Sequence, residues 1–360
     1  MTRSEFGSIT RLDGKRWKIR WSETDEDGRR VQRSRNVRGS RRDAERELAR
    51  IALDHGRRVP QPTMTLADYW TEYRADIERL APQTVDGYVR AWETYVEPLF
   101  GNCVMEQLTS REVRRRLLTL EAPGAQRNAY KLLRQMYNAA NADDLVENMP
   151  IKKHMRLDEP RRRDTPTFTL DEVPAFLDAI HGADIEAVAL CQLFGGLRRE
   201  EATGLRWSDF RFETVPTIHG ETATAYIAIQ RTAQLIGGEV VEGAPKTQRS
   251  ARTVIVSGYP ARRLAEIAGE GWLNGGDKLG NPETYASRLS TICANAGLPH
   301  MTPTGLRATF STIHQQLGTP DTLVSMMMGH TQISTRYRHY LSANEDAMKR
   351  AASALSGAVG

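Results

Sequence analysis

Two polar stretches bounded by prolines cut this chain into unequal pieces, and they constrain its fold more than any other feature. GRRVPQPT (56–63) and PIKKHMRLDEPRRRDTP (150–166) show no apolar periodicity, and the second holds six Lys or Arg. Both read as linkers between independently packed modules. A basic linker is also suited to lie along a phosphate backbone, which would use the same cations. The spacing predicts a multidomain chain: a module over 1–58, a second over 63–150, the basic linker at 151–166 and a third module over 167–360.

The first module reads as a small three-stranded sheet plus a helix. In RWKIRW (16–21), Trp17, Ile19 and Trp21 alternate with Arg16, Lys18 and Arg20. A period of two sends the aromatic and aliphatic set to one face and the cations to the other. Asp13-Gly14 and Asp27-Gly28 are turn signals on either side of that strand. RVQRSRNV (30–37) is a further strand that intersperses Arg33 and Arg35 with apolar residues. Ser40 and Asp43 suit a capping box, with Ala44, Leu48, Ile51 and Ala52 following at helical spacing. Residues 1–60 hold 17 Lys/Arg against 10 Asp/Glu, a surplus of seven in a chain whose net charge is +5, so the remainder is close to neutral. A basic module of this kind suits a polyanion such as DNA, and Arg16, Lys18, Arg20, Arg33 and Arg35 are its candidate contacts.

The second module is all helical. Thr65 with Asp68, Thr84, and Thr109 with Glu112 open three helices, and a fourth covers about 125–140 around Ala129, Leu132, Leu133 and Met136. The second of these, with Val85, Tyr88, Val89, Trp92 and Val96 on one stripe, is expected to end before Pro98. The third module is mainly helical from Thr169, in a box with Glu172, and is interrupted by strand-like segments at 225–230 and 252–256 that suit a small antiparallel sheet.

Hydrophobic residues make up 39% of the chain and charged residues 26%, without an apolar run long enough for a membrane span or a secretory leader. Cys103, Cys191 and Cys293 lie far apart and outside any CxxC spacing, which disfavours a disulfide framework or a zinc site and suits a reducing cytoplasm.

Four stretches of the third module fit one reaction. GGLRREEATGLRW (195–207) puts Arg198 after a Gly-Gly break, with Glu201 three residues on; PKTQRSARTVIV (245–256) puts Lys246 in a polar turn before a strand; TPTGLRATFST (302–312) puts Arg307 at the start of a helix; and MMGHTQISTRYRHY (327–340) holds His330, Tyr337 and Tyr340. A phosphodiester gains negative charge on its non-bridging oxygens as a nucleophile adds. Two guanidiniums can hold those oxygens bidentately without losing their own charge.

In this order the strings G-L-R-x-x-E, L-R-x-T and G-H-x-x-I-x-T…R-Y-x-H resemble the tyrosine recombinase (phage integrase) family across the whole chain. The basic N-terminal module resembles that of the integrase branch, which grips arm-type DNA, and 63–150 resembles the helical core-binding domain. The resemblance implies site-specific cleavage and rejoining of double-stranded DNA through a 3′-phosphotyrosine. Arg198 and Arg307 would clamp the phosphate, His330 would hydrogen-bond it, Lys246 would protonate the departing 5′-oxygen, and Glu201 would orient Arg198. It also implies a homotetramer on core and arm-type attachment sites and no metal or nucleotide cofactor, and it leaves open whether a host bending protein and a directionality factor take part. The final helix (Ala347, Met348, Ala351, Ala352, Leu355) would dock on a neighbouring protomer, whereas simple packing would place it on its own domain.

The chain departs from the family pattern at two points. Thr304 occupies the usual histidine position of the second box, and a hydroxyl cannot act as a base near neutral pH. The family's count from the Gly-His histidine lands on His339, with Tyr337 two residues short and Tyr340 one long. The R-Y-x-H context favours Tyr337, and Tyr340 remains the alternative, since positions three apart on a helix share a face. These departures are the support for a second reading, a catalytically impaired DNA-binding protein of the same architecture serving as a repressor or accessory factor.

Overall fold

The computed structural model describes residues 7–24, 30–54, 64–159, 164–217, 220–244, 251–274, 276–329 and 345–359. They belong to two compact units, Met1–Arg161 and Arg162–Gly360.

The first unit opens with an antiparallel sheet of β1 (Gly7–Asp13), β2 (Arg16–Thr24) and β3 (Arg30–Arg38), in that order, followed by α1 (Arg41–Asp54). Gly14 makes the first turn with φ +38°, while Asp27-Gly28 lies outside the described residues. Ser40 and Asp43 cap α1 reciprocally: the Ser40 N–H donates to the Asp43 carboxylate at 2.7 Å and the Asp43 N–H to the Ser40 hydroxyl at 3.3 Å. Ile19 is fully buried against Ala44, Leu48, Ile51 and Ala52, with Trp17, Trp21 and Val37 around them.

Register divides the cations of this module, and it corrects the placement of two of them. Arg35 lies opposite Ile19 and Arg33 opposite Trp21, and paired residues share a face. Both arginines therefore project on the helix side, away from the open face that carries Arg16, Lys18 and Arg20. Arg35 pairs there with Glu47 of α1, and Arg33 with Glu23 at 2.7 Å. The physical reason is parity, because Val37, which packs under α1, is an even number of residues from both. Arg38, opposite Arg16, takes a place on the open face instead.

The rest of this unit is a helical bundle: α2 (Leu66–Ile77), α3 (Pro82–Ala91), a π turn (Trp92–Val96) into α4 (Glu97–Phe100), α5 (Ser110–Leu117) and α6 (Pro123–Ala142). Thr65 and Asp68 form a full capping box, and Thr109 accepts the Glu112 N–H. The second helix starts at Pro82 rather than Thr84, since a proline's missing N–H costs nothing in a first turn. It also runs past Pro98, which follows directly on the π turn in the first turn of α4. Trp70 stacks on Trp92 with centroids 4.7 Å apart, and Tyr137, fully buried, donates to the carbonyl of Met105 at 3.0 Å. Arg42 of α1 pairs with Glu106 and Glu147, tying the sheet module to the bundle.

In the second unit α7 (Glu172–Ile180), α8 (Glu186–Gly195) and α9 (Arg199–Thr203) precede β4 (Phe210–Thr217), β5 (Gly220–Ile229), the hairpin β6 (Thr232–Ile236) and β7 (Glu239–Gly243), and β8 (Arg252–Ser257). Then come α10 (Tyr259–Glu266), α11 (Pro282–Asn295), α12 (Pro303–Gln316), α13 (Asp321–Met327) and α14 (Glu345–Val359). Strands β4, β5 and β8 form one antiparallel sheet in that order. Every residue of α8 is buried, which makes it the central helix of this unit. Helix α14 packs on its own unit: Ala352 meets Tyr226 and Ile255, Ala351 and Leu355 enter the main core, and the Ser356 hydroxyl accepts the Tyr259 N–H at 3.0 Å. Among the described residues no helix is long and apolar enough to cross a membrane.

Candidate active site

The site is built where α8 ends. Gly196 terminates that helix with φ +62°, and a Cβ there would lie 2.7 Å from the Phe310 ring of α12. Conformation and packing both require glycine. The chain then turns into Arg198, the N-cap residue of α9, whose N–H donates to Glu201 Oε2 at 2.9 Å and whose Nη1 donates to Oε1 at 2.8 Å. Helix α12 begins with Thr302 accepting the Gly305 N–H, and its second turn presents Arg307. Arg307 donates through Nη1 to the carbonyl of Gly196 and through Nη2 to that of Met328 at 2.8 Å.

Arg198, Arg307 and Glu201 therefore lie together, with a third arginine that motif reading misses. Arg252, the first residue of β8, donates through Nη1 and Nη2 to the two oxygens of Glu201 at 3.1 and 3.0 Å, and through Nε to the Met327 carbonyl at 3.2 Å. Arg198 Nη2 reaches the carbonyl of Gly329 at 3.1 Å. Three arginines from α9, α12 and β8 thus hold the carbonyls of residues 327, 328 and 329, the C-terminal end of α13. A buried carboxylate needs a cation partner, and that need was the available sign of Arg252, although its identity depends on tertiary structure.

Charge in this cluster is balanced unevenly. Glu201 is 2% exposed. Burial works against its charge, yet the hydrogen bonds and charge of Arg252, with the bonds from Arg198, hold its pKa down at about 2. Arg307 is pulled down to about 10 by burial and by the neighbouring Arg198 and Arg252, with Glu201 opposing them, and it stays protonated at neutral pH. Three guanidiniums around one carboxylate leave a concentrated positive charge, and the Arg198 side chain, 38% exposed, presents part of it to solvent. That arrangement can receive an anion.

Thr304 is exposed on the first turn of α12, three residues before Arg307 and on the same side of the helix. Lys246, His330, Tyr337 and Tyr340 lie outside the described residues. Chain continuity makes His330 the residue after Gly329. The hairpin β6–β7 that precedes Lys246 is tied back by Arg231, which bonds Asp209 at 2.5 Å and lies 3.5 Å from Glu242, and by Arg206, which bonds Glu242 at 3.2 Å and stacks over Trp272. Among the described residues no group of His, Cys, Asp and Glu side chains could hold a metal ion.

The model of the phage integrase family matches residues 166–346, just over half of the chain. The integrase of Mycobacterium phage D29 is 26% identical over 314 residues, covering 82% of this chain and 79% of that protein. Among solved structures, the Tn1549 transposon integrase in complex with transposon right end DNA superposes with a TM-score of 0.62 at 18% identity, over 80% of this chain and 99% of that one. A lambda integrase tetramer bound to a Holliday junction gives 0.55 at 14% identity, over 88% and 90%. The chain belongs to the phage integrase family. It is a site-specific tyrosine recombinase, an enzyme that cleaves and rejoins DNA.

Proposed function

We propose that the chain is the integrase of a phage or related mobile element, acting on double-stranded DNA at core and arm-type sites. The single observation that carries the catalytic assignment is the convergence of Arg198 and Arg307 beside Glu201, at the carbonyls that immediately precede His330. A scissile phosphate is held by the two arginine forks, which stabilise the charge that builds up as the nucleophile adds. The phenolate of Tyr337, or of Tyr340 in the alternative, attacks phosphorus. The bond to the 5′-oxygen breaks, and Lys246 delivers a proton to that oxygen. His330 adds a hydrogen bond to the phosphate, and Glu201 orients Arg198. Thr304, at the position where the family pattern usually has a histidine, supplies a hydrogen bond and not a base.

In the same proposal residues 1–58 bind arm-type DNA through Arg16, Lys18 and Arg20, residues 63–150 bind the core site, and 151–166 lies along the backbone between them. A homotetramer in the cytoplasm, on the nucleoid, is the acting species; the lambda tetramer on a Holliday junction supports that assembly by likeness of fold. A duplex nicked just past the cleavage point tests the proposal, because loss of the short 5′-hydroxyl product traps the covalent adduct. An adduct that survives denaturing electrophoresis is expected. DNA binding without any adduct would favour the reading as a repressor or accessory factor.

A further inference from the structure

One carboxylate sits under three guanidiniums in this site, and the three are not equivalent. Arg252 engages both oxygens of Glu201 with both of its terminal nitrogens, at 3.1 and 3.0 Å. Arg198 reaches one oxygen with one side-chain nitrogen at 2.8 Å, and Arg307 stands 4.0 Å away. The bidentate fork is the strongest of these pairings. The Arg252 side chain is also far less exposed than that of Arg198, 11% against 38%.

A second observation comes from the other side of the guanidinium. Gly329 adopts φ +67°, and a Cβ on it would lie 2.9 Å from Arg252 Nη1. Arg252 is packed directly beneath the turn from which His330 follows, and its Nε holds the Met327 carbonyl two residues before Gly329. Its own chain position is the start of β8, six residues after Lys246.

We propose that Arg252 is a positioning residue for strand cleavage: it is the counter-ion of Glu201, which leaves the charge of Arg198 and Arg307 to the phosphate, and it ties the end of α13 to β8. This inference rests on the recombinase reading of the site. Without Arg252 the negative charge of Glu201 would fall on the two phosphate-facing arginines, and the cluster's net charge would drop by one where the transition state needs it. Arg252 is assigned no contact with the substrate because both of its terminal nitrogens face Glu201, whereas Arg198 gives it one and Arg307 none within hydrogen-bond distance. The low pKa of Glu201, about 2 against the opposing effect of burial, agrees with a fully formed ion pair.

The test compares wild type, Arg252→Met, Arg252→Lys and the double variant Arg252→Met/Glu201→Gln in the full chain. Each is measured for thermal midpoint, for affinity to a core-site duplex and for single-turnover adduct formation on a nicked duplex. Arg252→Met is expected to slow adduct formation at least 100-fold while affinity changes less than threefold, and Arg252→Lys to fall in between. Removing the now unmatched carboxylate should restore charge, so the double variant should be at least tenfold faster than Arg252→Met. A merely structural role would make rate and thermal midpoint fall and recover together, whereas the positioning role lowers the rate of adduct formation by more than any loss of fold or of DNA affinity accounts for.

The proposal is overturned if Arg252→Met cleaves within threefold of wild type, or if the double variant is no faster than the single one. Should Arg252→Met fail to fold, Arg252→Gln with and without Glu201→Gln makes the same comparison. Wild type forming no adduct would overturn the recombinase reading first, so the two failures are distinguishable.

Discussion

The guanidinium of Arg198 donates to the carbonyl of Gly329 at 3.1 Å, joining residues 131 positions apart in sequence. With Arg307 on Met328 and Arg252 on Met327, it makes the end of α13 part of the arginine cluster. A helix C-terminus carries partial negative charge on its free carbonyls, so cations are favoured there before any substrate arrives. The cluster's geometry is therefore set by the protein itself, which is what electrostatic stabilisation of a transition state requires.

Replacing the forks while keeping the charge should separate binding from chemistry. Arg198→Lys and Arg307→Lys should each reduce adduct formation by about 100- to 1,000-fold, the usual cost of losing one well-placed donor. Affinity for core-site DNA should stay within a few-fold in anisotropy titrations. Cleavage at more than a tenth of the wild-type rate in either variant would remove that residue from the phosphate.

The ion pairing of Glu201 has a consequence for acid stability. Its pKa in the folded state, about 2, lies below the ordinary glutamate value of 4.5. The stabilisation is thus complete above about pH 4.5 and lost as pH falls towards 2. The shift corresponds to roughly 3 kcal/mol. Denaturant titrations of wild type and Glu201→Gln should show a stability gap that narrows by about that amount across this window. A gap independent of pH would mean that Glu201 is not held ionised by the arginines.

His314 predicts a dependence in a different window. It is fully buried on α12, seven residues after Arg307, its Nδ1 lies 3.1 Å from the Thr319 hydroxyl, and burial lowers its pKa to about 4. The unfolded chain takes up a proton there near pH 6.5 and the folded chain does not, so stability falls as pH drops from about 6.5 to 4. His314→Leu should remove on the order of 2–3 kcal/mol of the difference between pH 7 and pH 4.5. An unchanged pH slope in the variant would contradict this.

The register of the N-terminal sheet predicts which of its cations matter for DNA. Lys18→Gln with Arg20→Gln should weaken binding to arm-type DNA and reduce the slope of log K against log salt by about 2, close to one unit per lost phosphate contact. Arg33→Gln with Arg35→Gln, on the helix side beside Glu23 and Glu47, should change the slope much less. Equal effects of the two pairs would overturn the assignment of the open face.

Local signals made much of this legible in the sequence. The Gly-Gly break before Arg198 and the boxes at Ser40, Thr65 and Thr109 act over three or four residues and can be read one at a time. Arg252 could not be read that way, because its partner Glu201 lies 51 positions away and only the folded sheet joins them. Arg33 and Arg35 show a different failure. Their parity with Val37 is present in the sequence, but two valines in a strand of arginines give too weak an apolar stripe to fix the face. The hairpin β6–β7 was also marked, by Gly237 and Gly238 with φ +58° and +88°, yet its five-residue strands are too short to stand out by periodicity.

The central claim is that a tyrosine in the segment after His330 attacks a phosphate held by Arg198 and Arg307, and mapping the DNA-linked peptide from a trapped adduct tests it most directly. The account predicts nucleotide attached to Tyr337 and no adduct in Tyr337→Phe, while Tyr340→Phe still traps DNA. Attachment at Tyr340 would select the alternative nucleophile within the same mechanism. Adduct formation that survives the loss of both hydroxyls would contradict the account.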